Sequence, residues 1–149
     1  MKTLPSLFIT VACTLSFLSL DVRGQSCSDA VFSPGTFCET VESWQDFASL
    51  VEDSVDGDTL YLCPFDILKN ESDGPVEIEW SLSLICASTS DTDGCSIKGR
   101  GEIINLQSSG NTLIQGFTFR DGDDHAIHIK STDNSESAIH TLCFCQFKR

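Results

Sequence analysis

Residues 121–130 contain the densest group of side chains that could carry out chemistry: three aspartates, two histidines and a lysine. Carboxylate oxygens are the ligands that Ca²⁺ prefers in proteins. A weak calcium site is therefore a candidate at the three aspartates, Asp121, Asp123 and Asp124. Aspartate and glycine are also the residues that a tight turn selects, and we favour this structural interpretation of residues 121–124.

The residues after this turn predict a strand with two different faces. Ile127 and Ile129 alternate with other residue types, which is typical of a strand with one buried face. His128 and Lys130 should then lie on the outer face, beside the acidic turn. Such a face could bind an acidic sugar through the ammonium group of Lys130.

Similar short apolar segments recur along the chain and indicate how this strand is positioned. The segments are Leu60-Tyr61-Leu62-Cys63, Leu82-Ser83-Leu84-Ile85, Ile114-Gln115-Gly116-Phe117 and Leu142-Cys143-Phe144-Cys145, which start 22, 32 and 28 residues apart. Repeats of this length are typical of solenoids. No amphipathic crossover helix lies between them, which disfavours an α/β sheet and favours parallel strands stacked coil upon coil. The residues expected to form inward aliphatic columns are Leu60, Leu62, Leu82, Leu84 and Ile114.

One segment before these strands predicts an amphipathic helix. Its apolar residues, at helical spacing, are Trp44, Phe47, Leu50 and Val51. Ser43 can cap its first turn, and the turn at 56–58 ends it. Because an open solenoid end would expose apolar residues and strand edges, we expect this helix to cover the first coil. The chain then divides into an arm with a capping helix at 25–56 and a strand domain at 57–149.

The first 24 residues are typical of a signal peptide. Lys2 precedes an apolar run at 7–18, and we expect cleavage after Gly24. The run is too short and too often interrupted by Thr and Ser for a membrane span, and no later segment could form one. We therefore expect a secreted, extracellular protein. Its net charge of −13 disfavours nucleic acid and anionic lipid as partners.

The sequence also predicts covalent modifications of a secreted chain. Eight cysteines favour disulfides over a metal site, and an odd number remains once Cys13 leaves with the signal peptide. The expected disulfides are Cys86–Cys95, closing a loop between two strands, and Cys27–Cys38, within the arm. Cys63 and Cys145 hold equivalent positions several coils apart and should not pair. The sequon at Asn70 predicts a glycosylated, exposed loop.

Four segments in the second half of the chain resemble a known superfamily. They are GCSIKGRG at 94–101, NTLIQGFTFRDG at 111–122, AIHI at 126–129 and LCFCQF at 142–147. Their residue pattern is similar to the repeated motif of secreted proteins of the pectin-lyase-like superfamily. The resemblance covers residues 82–147 and implies an all-β, right-handed parallel β-helix of about three to four coils. Members of that superfamily have more coils, so the resemblance leaves open that this chain is a fragment.

The same resemblance implies a catalytic alternative. Gly122-Asp123-Asp124 is similar to the paired-aspartate turn of polygalacturonase-type glycosidases, where two carboxyl groups act as acid and base. The catalytic candidates are Asp123, Asp124 and His128. The family's Gly-His-Gly and Arg-x-Lys motifs are absent from this sequence. We therefore predict a carbohydrate-binding, adhesive or cell-surface module, without enzymatic activity or a required cofactor, whose partner is a polysaccharide or cell-wall glycan. The alternative is a polysaccharide hydrolase or lyase acting on acidic glycans.

Overall fold

The computed structural model describes residues 10–12, 37–87, 94–107, 109–121, 125–130 and 138–148. Within these ranges the chain forms one helix, α1 (Trp44–Glu52), and twelve short strands. The strands are β1 (Thr10–Ala12), β2 (Asp58–Leu62), β3 (Phe65–Lys69), β4 (Val76–Ile78), β5 (Leu82–Cys86), β6 (Cys95–Gly99), β7 (Ile104–Gln107), β8 (Thr112–Gln115), β9 (Phe117–Arg120), β10 (Ile127–Lys130), β11 (His140–Cys143) and β12 (Gln146–Lys148).

The strands form three parallel sheets. The first sheet has the order β1-β11-β8-β5-β2, the second β12-β9-β6-β3 and the third β10-β7-β4. From β2 onward the chain enters the first, second and third sheets in turn, so each strand pairs with the strand three places later. The prediction of a parallel β architecture built from stacked short strands is confirmed.

An inward aliphatic column runs through the first sheet. Leu60, Leu84, Ile114 and Leu142 are in register on four neighbouring strands. The repeat seen in the sequence pairs Leu60 with Leu82, whereas in the structure Leu60 pairs with Leu84. Since side chains alternate along a strand, this two-residue difference keeps Leu82 on the inner face, where it is buried.

The helix α1 packs against β3 and β4 at one end of the stacked strands. Ser43 caps it: the Ser43 Oγ accepts a hydrogen bond of 3.1 Å from the Asp46 backbone N–H. The predicted apolar face is the buried one: Trp44, Phe47 and Val51 are buried, and Leu50 packs against the same core. The helix therefore covers the end of the core, as its spacing predicts.

Two disulfides link described residues. One joins Cys86 to Cys95 across Cα atoms 5.7 Å apart, as the sequence predicts. The other joins Cys38 to Cys63, with Cα atoms 5.0 Å apart, so the expected Cys27–Cys38 pair is wrong. The backbone explains this difference, because Glu39 bridges to Leu62 in parallel and brings the two cysteines together. Cys27 itself lies outside the described residues.

We expect non-reducing peptide mapping of the recombinant protein to recover Cys38 joined to Cys63 and Cys86 joined to Cys95. The Cα atoms of both pairs lie within the separation that a disulfide spans. Recovery of a peptide that joins Cys27 to Cys38 would contradict the first of these pairs.

β1 lies inside the predicted signal peptide and pairs in parallel with β11. Cleavage after Gly24 stays a prediction, and it would remove this strand from the first sheet. No helix in the described part of the chain is long and apolar enough to cross a membrane. Asn70 is exposed in the turn after β3, which agrees with the loop that its sequon predicts.

We expect the buried His140 to lower the free energy of unfolding in mild acid. The residue is only 7% exposed, no described group hydrogen-bonds to its Nδ1, and burial lowers its pKa from the ordinary 6.5. Below about pH 6.5 the unfolded chain takes up a proton that the folded chain resists, so acid favours unfolding. The free energy of unfolding should fall by up to about 1.4 kcal/mol per pH unit in that window.

The measurement is urea denaturation of the wild type and His140→Gln between pH 7.5 and 5. The variant should show a flatter pH dependence, because it lacks the group that titrates. Parallel curves for the two proteins would show that His140 does not carry the effect.

Candidate functional site

The outer face of the third sheet holds the largest described group of interacting polar side chains. Glu77 on β4, Asn105 on β7 and His128 on β10 are in register across the three strands. In the next outward row, Gln107 pairs with Lys130. The intervening residues face the core, since Val76, Ile78, Ile104 and Leu106 are buried. The predicted outward positions of His128 and Lys130 agree with this arrangement.

Glu77 is the centre of this group. Lys130 Nζ lies 2.9 and 3.1 Å from the two carboxylate oxygens and donates to both. Asn105 Nδ2 donates to Oε1 over 2.8 Å, and Gln107 Nε2 donates to Oε2 over 3.1 Å. Asn105 is buried, whereas the side chains of Glu77 and Lys130 are 40% and 38% exposed. The buried Asn105 thus holds the Glu77 carboxylate in place, and the Glu77–Lys130 pair remains accessible to solvent.

These contacts keep Glu77 ionised. Partial burial is the largest single influence and raises its pKa, but the hydrogen bonds from Asn105 and Lys130 oppose it. The charge of Lys130 and the hydrogen bond from Gln107 act in the same direction, so the pKa of Glu77 lies below its ordinary value. At neutral pH, Glu77 and Lys130 therefore form an ion pair within a hydrogen-bonded network.

A second carboxylate, Glu102, lies beside His128. Glu102 Oε1 is 2.7 Å from His128 Nδ1, and the ring of His125 is 6.5 Å from that of His128. The hydrogen bond from His128, with a smaller contribution from Asn105, lowers the pKa of Glu102. Asn105 therefore stands between the two carboxylates and influences the ionisation of both.

The sequence predicts that the acidic turn at residues 121–124 lies beside His128 and Lys130, and the structure places its first residue elsewhere. Asp121 directly follows β9 of the second sheet, and its carboxylate lies 3.2 Å from Lys98 Nζ. It is therefore placed with Lys98, and not with His128 and Lys130 of the third sheet. Asp123 and Asp124 lie outside the described residues. Among the residues that are described, no three carboxylate, histidine or cysteine groups are arranged to hold a metal ion, and the calcium site stays a prediction.

Sequence reasoning missed four members of this group: Glu77, Glu102, Asn105 and Gln107. A signal for two of them was present. Val76-Glu77-Ile78 and Ile104-Asn105-Leu106 alternate apolar and polar residues in the same way as Ile127-His128-Ile129. Aligning these three segments would have placed Glu77, Asn105 and His128 in one outward row. Glu102 precedes β7 and carries no such pattern.

Neither carboxyl group of this face suits general-acid catalysis. A general acid must hold a proton at the working pH, whereas the lowered pKa values of Glu77 and Glu102 leave both carboxyl groups ionised. Carboxylate, amide, ammonium and imidazole groups fixed on neighbouring strands can exchange hydrogen bonds with a polar ligand. No family model matches the sequence, and none of the curated proteins matches it significantly.

Proposed function

We propose that this protein is a secreted, right-handed parallel β-helix module that binds glycan through the outer face of the third sheet and has no catalytic role. The observation that carries the proposal is the outward row of Glu77, Asn105 and His128, together with Gln107 and Lys130 beside it.

The pairing of the strands supports the β-helix part of this proposal. A chain that enters three parallel sheets in turn, each time one strand further along, follows the path of a coil. Parallel crossover connections are right-handed in nearly all proteins, which is why we propose that hand. The two disulfides suit the oxidising route of a secreted chain.

The rigidity of the polar face supports the binding part. Glu77 accepts hydrogen bonds from three side chains, Asn105, Gln107 and Lys130, which hold one another in place. Preorganised groups lose little conformational entropy on binding. The Glu77–Lys130 pair balances its own charge, so the face suits the neutral hydroxyl groups of a sugar. Backbone strands fix these positions more closely than a loop would.

Glycan retention by the secreted recombinant protein tests the proposal. The matrices are insoluble cell-wall polysaccharides, and the variant is a joint His128→Ala and Lys130→Ala change. We expect retention to fall about tenfold, as the loss of one or two net hydrogen bonds would produce. The matched control is Gln45→Ala with Glu52→Ala on the exposed side of α1, which should bind like the wild type. Equal retention by both variants would contradict the proposed site.

A second assay separates binding from catalysis. We expect no release of reducing ends and no unsaturated products from polygalacturonate, with or without Ca²⁺. The comparison is the joint Asp123→Asn and Asp124→Asn variant, which removes the carboxyl groups of the catalytic alternative. Turnover by the wild type that disappears in this variant would overturn the non-catalytic part of the proposal.

A further inference from the structure

The outward row of the third sheet contains a buried hydrogen-bond acceptor, the side-chain oxygen of Asn105. The residue is only 1% exposed, and its Nδ2 donates to Glu77 Oε1 over 2.8 Å. Its Oδ1 is buried, and no group in the described part of the chain donates to it. Leaving a buried acceptor without a partner costs free energy, and such oxygens are nearly always paired in folded proteins. This oxygen is therefore a position that a donor from a ligand can satisfy.

Glu77 determines the direction in which this oxygen points. An ionised carboxylate only accepts hydrogen bonds, so the amide nitrogen of Asn105 must face Glu77 on β4 and the amide oxygen must face away from it. β7 lies between β4 and β10, and Asn105 pairs in register with His128 on β10. The Asn105 oxygen is thus directed towards the His128 side of the row.

The two carboxylates of this face have different partners. Glu77 forms an ion pair with Lys130 at 2.9 Å, whereas Glu102 Oε1 lies 2.7 Å from Nδ1 of His128. With histidine counted as neutral, these four side chains carry one net negative charge, from two carboxylates and one ammonium group. Hydrogen bonds with an ionised partner are about twice as strong as neutral ones. A cationic donor is therefore the group that suits both Glu102 and the Asn105 oxygen.

We propose that the third-sheet face binds an amino sugar of a glycan, whose ammonium group lies between the Glu102 carboxylate and Asn105 Oδ1. This inference rests on the proposed function and names the class of sugar that the same site takes. The ammonium group replaces the ring of His128 at Glu102, which is feasible because the His128 side chain is 46% exposed and can move into solvent. The hydroxyl groups of the sugar then meet the charge-balanced pair of Glu77 and Lys130.

The composition of the face favours an ammonium group over a metal ion. Across the described residues, no three carboxylate, histidine or cysteine groups are arranged to hold a metal. Lys130 would also repel a divalent cation held at Glu77, whereas one ammonium group needs only Glu102 as its anionic partner. A lysine side chain of a peptide carries the same ammonium group. The amide and ammonium donors beside Glu77 favour the sugar, because they suit neighbouring hydroxyl groups.

Three soluble tetrasaccharides that share one β-1,4-linked backbone test the inference at neutral pH. They are built from glucose, N-acetylglucosamine and glucosamine, and so differ only in a hydroxyl, acetamido or amino group at one carbon. In isothermal titration calorimetry of the recombinant protein, the glucosamine tetrasaccharide should bind about tenfold more tightly than the glucose one. Equal or tighter binding of either of the other two would overturn the inference, as would tighter binding of a tetralysine peptide.

Glu102→Gln keeps the size of the side chain and removes its charge. We expect this variant to lose the preference for glucosamine, so that the ratio of the two affinities falls from about ten to about one. The matched control is Glu52→Gln, which removes an equal charge from the exposed side of α1 and should keep the preference of the wild type. An equal loss in both variants would indicate a response to net charge and would overturn the inference.

Nuclear magnetic resonance of ¹⁵N-labelled protein tests the part that Asn105 plays. Its side-chain amide signal can be identified by its absence from Asn105→Asp, and it should shift as the glucosamine tetrasaccharide is added. An unchanged signal at saturation would show that the ammonium group does not reach this oxygen.

Failure of this inference is distinguishable from failure of the proposed function. If the three tetrasaccharides bind equally, and His128→Ala with Lys130→Ala weakens all of them, the glycan site stands and the preference for an amino sugar is wrong. If that double variant binds all three like the wild type, the proposed site is wrong as well.

Discussion

Phe47→Ala should destabilise the folded protein by about 3–5 kcal/mol, the range for truncating a fully buried phenylalanine. The Phe47 side chain is completely buried. Its ring centroid lies 5.6 Å from that of Trp44, 6.1 Å from that of Phe65 and 6.4 Å from that of Phe117. Removing the ring would therefore leave a cavity between α1 and two sheet strands, and the helix has few other residues with which to fill it.

Urea denaturation followed by tryptophan fluorescence measures this loss, because Trp44 reports on the same contact. Gln45→Ala is the matched control, since Gln45 belongs to the same helix but lies on its exposed side. Its stability should differ from that of the wild type by less than about 0.5 kcal/mol. Equal stability of Phe47→Ala and Gln45→Ala would show that α1 does not hold the end of the core together.

Gly110→Ala should destabilise the folded protein by a comparable amount. Here the cause is steric overlap and not a cavity. A Cβ atom at this position would lie 2.5 Å from the Ser81 backbone nitrogen and closer still to the Trp80 carbonyl carbon. These are backbone atoms, so no side-chain rotation relieves the overlap. We expect a loss on the order of 3 kcal/mol, at the upper end of the cost of overpacking.

Hydrogen bonds hold the segment at Trp80 and Ser81 in its position. Trp80 Nε1 donates a hydrogen bond of 3.2 Å to Ser54 Oγ. The Ser81 N–H donates to Asp56 Oδ1 over 2.9 Å, and the Ser81 carbonyl oxygen accepts from the Gly57 N–H over 2.7 Å. Moving this segment away from residue 110 would break such bonds, which adds their loss to the steric cost.

Thermal unfolding of Gly110→Ala and Gly74→Ala separates this clash from a general effect of replacing glycine. A Cβ atom at Gly74 would meet nothing within 4 Å, so that variant should melt close to the wild type. Gly110→Ala should melt on the order of 10 °C lower, or fail to accumulate as folded protein. If both variants melt together, the close approach at Gly110 does not constrain the fold.

Local patterns predicted the faces of strands and of the helix well. Alternation at Ile127-His128-Ile129 placed His128 outward because side chains on a strand alternate whatever the strand pairs with. The same pattern could not fix the register. Leu82 and Leu84 are both leucines on the inner face, so pairing either of them with Leu60 buries apolar surface, and the difference depends on hydrogen bonds between distant strands.

Contacts between distant residues were the part that the sequence did not predict. Glu77 and Lys130 are 53 positions apart and meet only because β4, β7 and β10 stack in one register. Cys38 pairs with Cys63 because Glu39 bridges to β2, a contact with no local signature. Lys98, Arg120 and Lys148 line up across the second sheet for the same reason, since only the register of β6, β9 and β12 brings them together.

The two ends of the stacked strands differ, and this has a consequence for how the protein opens. At one end α1 buries the core, whereas at the other Phe147 continues the ring stack of Phe119 at 5.3 Å and is 51% exposed. Each strand pairs only with its nearest equivalents, so the stack behaves as a one-dimensional array whose terminal units fray first. Amide hydrogen exchange should therefore be slowest near β3 and β5 and become faster towards β12. Unfolding would then begin at β12 and progress towards the end that α1 covers.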